Sequence, residues 1–268
     1  MLTIDIDPVA FSVGSLSVRW YGIMVALAVI TLLAVTLRET KRLGISQDII
    51  YSLFLWGIVG GFIGARLIVT QWDHYIAYPK DIFNVIGFPA FSLYGAIIGA
   101  LVAVWVYMKV KKTSFQSLAG VGEAIAVGAP LAQAIGRIGC TINGCCYGNP
   151  TSLPWAVIYA NPASACGLRG IPLHPTQIYF LLWNLIVFAV VWRMRGKLKP
   201  QGSLFLLYLC LYAAGDFSLR FFRYVDQPFL FGLLHQGQVI SLAILVVVLP
   251  LFILRMRRAS QMGRNQED

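Results

Sequence analysis

Seven windows of roughly 20 apolar residues, 18–38, 50–71, 91–110, 117–138, 175–193, 203–222 and 236–255, leave this chain few possible folds. In hydrocarbon every backbone N–H and C=O must be paired within the protein, so such a window is either a helix or part of a closed barrel. Barrel strands alternate apolar and polar residues, and none of these windows does. The expectation is an all-α integral membrane protein with seven transmembrane helices. Hydrophobic residues make up 58% of the chain and charged residues 12%, a balance foreign to soluble domains. Spans and short loops use up the 268 residues, so one membrane domain, 1–268, is expected, with a small extracytoplasmic segment at about 139–173.

Basic residues give the orientation, because short cytoplasmic loops accumulate lysine and arginine during insertion. Arg38, Lys41 and Arg42 follow the first window, and Lys109, Lys111 and Lys112 the third. Arg193, Arg195, Lys197 and Lys199 follow the fifth, and Arg255, Arg257, Arg258 and Arg264 the seventh. Those ends are expected to be cytoplasmic, with the N-terminus outside and the C-terminus inside. The net charge of +10 then reflects topology and contact with anionic lipid, and no nucleic-acid partner is expected. The first 17 residues carry Asp5 and Asp7 but no lysine or arginine. They lack the basic start of a cleavable signal peptide, so the first helix is expected to be retained.

Arg19, Arg66, Lys80, Arg137, Arg169, Arg220 and Arg223 remain, and this topology puts all seven at the outer level. Tyr21, Tyr94, His174, Gln177, Asp216 and Gln238 share that level, which implies a polar chamber there. Ionisable groups at membrane depth face a protein-lined cavity and mark substrate paths. Arg137, in the segment GRIGCTINGCCYG (136–148), is the first functional candidate. Asp216, Arg220 and Arg223 fall at i, i+4 and i+7, so a continuous helix would put them on one face and pair the first two. Together with Arg66 and Arg137 these arginines suit an anion, because forked guanidinium donors match phosphate oxygens. At this depth the anion can be a phospholipid headgroup. Glycines at 57, 60, 61 and 64, and at 95 and 99, give the spacing of closely packed membrane helices. Glu123 is expected to be an interfacial or capping residue, and the aromatic stretch 72–88 either an interfacial segment or a plain loop.

GRIGCTINGCCYG resembles the signature of the prolipoprotein diacylglyceryl transferases, bacterial membrane enzymes. Other stretches resemble the family in order: RWYG at 19–22, GAR at 64–66, SLYGAIIG at 92–99, HPTQIY at 174–179, RFFR at 220–223 and GQVIS at 237–241. The resemblance implies seven spans in the inner membrane and an active site toward the outer leaflet. It also implies transfer of a diacylglyceryl group from phosphatidylglycerol to the lipobox cysteine of a prolipoprotein, without metal or soluble cofactor. Arg137 then matches the essential arginine. Tyr94 stands where some members carry histidine, and Asp216 and Arg220 complete the catalytic set. Tyr21, Arg66, Asn143, Gly148, His174, Gln177, Arg223 and Gln238 are the implied substrate-binding residues. The family commonly has arginine at the position of Asp216 and glutamate at that of Arg220, so the pair is exchanged here. Cys140 and Cys145 replace a usual asparagine and a usual glutamate.

Cys140, Cys145, Cys146 and Cys166 fall at the expected outer side, where a bridge from Cys166 to a signature cysteine is one possibility. A metal site made by these cysteines with His174 is disfavoured, because the spacing is irregular and no CxxC occurs. Two rival functions remain. A catalytically altered relative would bind phospholipid or lipoprotein precursor without turnover, as the exchanged pair and lost glutamate suggest. A transporter or channel fits less well, because the polar groups gather at one level and no internal repeat is evident.

Overall fold

The computed structural model describes residues 1–14, 16–67, 93–112, 115–224 and 234–264. Seven α-helices occur among them: α1 (Trp20–Arg42), α2 (Gln47–Leu67), α3 (Leu93–Val110), α4 (Phe115–Asn143), α5 (Thr176–Met194), α6 (Ser203–Leu219) and α7 (Gln236–Arg264). Six stretches within α1, α2 and α4 to α7 are long and apolar enough to cross a membrane, and Gly95–Val110 in α3 is a shorter apolar helix. The chain is therefore a multi-pass membrane protein. The start of the third expected window at 91, the aromatic stretch 72–88, Lys80 and His74 lie outside the described residues.

The chain is not wholly helical, which corrects the all-α expectation. β1 (Leu2–Ile4) pairs in parallel with β4 (Val157–Tyr159), in register Leu2 with Val157 and Ile4 with Tyr159. β2 (Val9–Val13) and β3 (Leu16–Arg19) form an antiparallel hairpin leading into α1. Three-residue strands have no periodicity to read, and β1 meets a partner far along the chain. Ile4, Val157, Tyr159, Cys166 and Leu173 close over one another as a small core. This core belongs to a compact segment spanning the end of α4 and the start of α5. α4 continues to Asn143, so its last residues overlap the expected segment at about 139–173.

Two compact units divide the chain: Met1–Glu39 with Gly122–Asp268, and Thr40–Val121. In the smaller unit α2 lies against α3 through glycines. A Cβ added at Gly64 would stand 2.2 Å from the Gly95 carbonyl oxygen, and one at Gly99 2.2 Å from that of Gly60. Close backbone approach of this kind needs small residues, as the spacing implied.

In the larger unit Ala126 and Val127 of α4 pack against Val187 and Val191 of α5 and Leu204 and Tyr208 of α6. One end of this unit carries Glu39, Glu123 and Arg195. Arg195 donates to Glu39 at 2.8 Å and stacks 3.5 Å over the Trp192 ring. Glu123 is buried and accepts from the Gly202 backbone N–H at 2.8 Å, capping the start of α6 as a carboxylate should. The other end gathers the start of α1, the end of α4, the start of α5, the end of α6 and the start of α7. Hydrogen bonds from Arg19 to Asn143, from Gln177 to Cys145 and from Gln238 to Phe217 join those ends.

Candidate active site

The helix carrying Asp216 stops at Leu219, and Arg220–Phe222 form a single 3-10 turn. Arg223 follows in extended conformation, with φ −83° and ψ 134°. The i, i+4, i+7 face expected for Asp216, Arg220 and Arg223 therefore holds only for its first two members. Arg220 Nε donates to Asp216 Oδ2 at 2.6 Å, and Ser241 Oγ donates to the same oxygen at 2.6 Å. Asp216 is 3% exposed, and the fit around its partner is close. A Cβ at Gly237 would stand 2.1 Å from Arg220 Cζ, so the guanidinium lies flat against the first turn of α7.

Leaving the helix brings Arg223 to the signature. The segment after α6 pairs with the segment after α4, with Arg223 bridged to Gly148. Asn149 N–H donates to the Phe222 carbonyl at 2.9 Å, and Tyr224 N–H to the Tyr147 carbonyl at 3.1 Å. Gly148 is sandwiched in this pairing. A Cβ there would stand 2.5 Å from His174 Cβ and 2.6 Å from the carbonyl oxygens of His174 and Phe222. Backbone oxygens on both sides cannot yield easily. Gly148→Ala is expected to destabilise the protein by about 1–3 kcal/mol, the range for overpacking. The check is the thermal midpoint in detergent, and an unchanged midpoint would remove this packing role.

Arg137 sits near the end of α4, half-buried, with its guanidinium 4.4 Å over the Phe180 ring of α5. Among the described residues no carboxylate pairs with it. Arg137 and Arg223 both act electrostatically on Cys146, and Arg220 and Arg223 both act on His235. The three arginines therefore converge on one end of the larger unit. Arg223 Nε is buried without a hydrogen-bond partner among the described residues, a donor that can serve an anion. Tyr21, at the start of α1, lies within electrostatic reach of Arg137 and the signature cysteines. A groove of about 280 Å³ runs between α1 and α4, lined by Val25, Val29, Leu32, Ala129, Ala132 and Gln133. Gln133 is one helical turn from Arg137.

Other expected residues bond neighbouring protein groups. Gln177 is fully buried, and its amide nitrogen donates to the Cys145 carbonyl at 2.9 Å and to Tyr159 Oη at 3.0 Å. Gln238 is also fully buried. Its oxygen accepts from the His235 N–H at 3.0 Å and its nitrogen donates to the Phe217 carbonyl at 3.2 Å. Both amides are tied to neighbouring protein groups, although Gln177 Oε1 is buried without a hydrogen-bond partner among the described residues. Asn143 Oδ1 accepts from Arg19 at 3.4 Å, and His174 Nδ1 lies 3.3 Å from Tyr179 Oη. Arg66 is buried near the end of α2 and belongs to the smaller unit. Tyr94 lies in the first turn of α3, but its side chain is outside the described residues.

His235 lies just before the first residue of α7. It is half-buried, and its Nδ1 has no hydrogen-bond partner among the described residues. Burial holds its pKa below the usual histidine value, and the nearby Arg220 and Arg223 lower it further. Its position just before the buried Gln238 was the available sequence signal. All five cysteines are free thiols, so the bridge from Cys166 is absent. Cys166 is buried in the small core, and burial raises its pKa. Cys146 differs: thiol donation from Cys140 and Cys145, with the Arg223 and Arg137 charges, holds its pKa down against burial.

Residues 8–254 match the family model described as prolipoprotein diacylglyceryl transferase. A relative from Dehalococcoides mccartyi, named phosphatidylglycerol–prolipoprotein diacylglyceryl transferase, is 40% identical over 264 residues, 97% of this chain and 98% of its own length. A protein of the same name from Clostridioides difficile is 33% identical, covering 88% of this chain and 90% of itself. One from Coxiella burnetii is 32% identical, covering 90% and 92%. With its signature arginine, its ordered motifs and a match over nearly the whole length, this chain belongs to the prolipoprotein diacylglyceryl transferase family.

Proposed function

We propose that the chain transfers the diacylglyceryl group of phosphatidylglycerol to the lipobox cysteine of prolipoproteins at an extracytoplasmic site in the bacterial inner membrane. The acceptor sulfur attacks a glycerol carbon, the bond from that carbon to the phosphate oxygen breaks, and glycerol phosphate departs with the electron pair. The thiol proton passes to a base. The observation that carries this reading is the convergence of Arg137, Arg220 and Arg223 beside the signature, with an apolar groove one helical turn from Arg137. Fixed donors aimed at the leaving phosphate act where charge grows, which is the largest usual catalytic contribution.

In this reading Arg137 and Arg223 bind the phosphate, and the groove between α1 and α4 accommodates acyl chain. The Asp216–Arg220 pair holds the junction of α6 and α7, with Arg220 near enough to add positive potential. Tyr21, Asn143 and His174 line the acceptor side. Gln177, Gln238 and Gly148 position these groups. The pair stays neutral despite its exchanged order, which favours turnover over binding alone. The test is thioether formation on a lipobox peptide by purified protein in phosphatidylglycerol membranes. Binding of both substrates without turnover would support the altered-relative reading instead.

His235 is a candidate proton acceptor because it is neutral at neutral pH and close to Arg220 and Arg223. Protonation disables a base, and its pKa is lowered. The rate should therefore hold down to pH values below the ordinary histidine range, about 6.5, and fall as pH drops further. His235→Gln is expected to lower the rate by about 10²-fold, within the range for general bases, and to abolish that acid limb. A pH–rate profile identical in the variant would exclude His235 from proton transfer.

A further inference from the structure

The three signature cysteines are irregularly spaced in sequence but clustered in space. The Sγ atoms of Cys140, Cys145 and Cys146 all lie within 4.8 Å of one another. Two turns of backbone produce this. α4 carries Cys140 and ends at Asn143; Gly144 then takes φ +74° and Cys146 φ +62°, a left-handed conformation that non-glycine residues rarely adopt. The chain doubles back, and Cys145 N–H donates to the Cys140 carbonyl at 3.2 Å. α5 secures the turn from the other side. Thr176 Oγ1 donates to the Cys146 carbonyl at 2.7 Å, and Gln177 Nε2 to the Cys145 carbonyl at 2.9 Å.

We propose that Cys140, Cys145 and Cys146 form a three-thiolate site for a thiophilic closed-shell cation, zinc(II) or copper(I). Thiolate sulfur is the preferred donor of both ions. Sulfurs bound to zinc at about 2.3 Å stand roughly 3.8 Å apart in a tetrahedron. The cluster therefore needs to contract by at most about 1 Å. Irregular spacing argued against a metal when the residues were taken along the chain, but ligand geometry depends on where the sulfurs end up. His174 is not a member. Three thiolates satisfy a trigonal copper(I) ion, whereas zinc retains a fourth position for water or an exogenous thiolate. On binding, S–H bonds give way to S–metal bonds and the protons leave to solvent. Three thiolates around zinc carry one net negative charge, and around copper(I) two, next to the positive Arg137 and Arg223 that already act on Cys146. The carbonyl bonds from Thr176 and Gln177 hold the ligand-bearing backbone, as supporting shells do in metal sites.

The experiment uses the full chain, reduced and purified in detergent, offered zinc(II) alone or, without oxygen, copper(I) alone, then desalted. About one equivalent should be retained, and whichever ion is retained identifies the preference. Cys140→Ser, Cys145→Ser and Cys146→Ser should each lower retention at least about tenfold, the scale of losing an outer partner, while Cys166→Ser should not. X-ray absorption on the loaded wild type should count three sulfurs at about 2.3 Å, a readout that needs no variant to fold. Retention of neither ion by folded, reduced protein would overturn the site. So would fewer than three sulfur ligands, or equal loss of metal in Cys166→Ser.

Discussion

Arg137→Ala should lower the rate of thioether formation by about 10²–10³-fold, the scale of removing one fixed donor from a developing oxyanion. Stability should change little, because the side chain is half-buried and no described carboxylate relies on it. Its stacking on Phe180 at 4.4 Å gives about 0.5–2 kcal/mol at most. Arg137→Lys restores charge but not the planar fork, so it should recover only part of the rate. The check is kcat and KM measured separately with phosphatidylglycerol. A fall in kcat places the contact in the transition state, whereas a raised KM with unchanged kcat would limit Arg137 to ground-state binding.

The second large effect concerns stability. Asp216→Ala removes the carboxylate that receives both Arg220 Nε and Ser241 Oγ, leaving a half-buried guanidinium without that anion. Breaking a buried pair on one side destabilises by about 3–5 kcal/mol, which should lower the thermal midpoint in detergent. The double exchange Asp216→Arg with Arg220→Glu restores opposite charges in the order common in the family. It should recover less than half of the loss. Ser241 is placed to donate to a carboxylate at 216, and Gly237 is flush with a guanidinium at 220. Wild-type stability in the exchanged protein would mean that the surroundings are indifferent to the order.

Much of this was legible from sequence for simple physical reasons. Lipid forces helices on long apolar windows, so the described helices fall on all seven. An i, i+4 acid and base on one helix must meet, and Asp216 and Arg220 do. What was missed lies where backbone leaves the regular periods. Arg223 was assigned to a helical face, but the 3-10 turn after Leu219 delivers it to Gly148 instead. β1 is three residues long and pairs with residues about 155 positions later, beyond any local pattern. The bonds that Gln177 and Gln238 make to neighbouring protein were not legible either, because a polar residue in apolar surroundings can face ligand or backbone. Buried amides can equally satisfy neighbouring backbone, and these do. The cysteine cluster was underrated because partners in space cannot be counted along the chain.

The central claim concerns where one phosphate goes. A structure of the full chain with phosphatidylglycerol bound would show its phosphate between the guanidinium groups of Arg137 and Arg223, within hydrogen-bond reach of both, with acyl carbon along Val25, Val29 and Ala132. A phosphate held away from both arginines, with those guanidinium groups turned to solvent or to hydrocarbon, would contradict it.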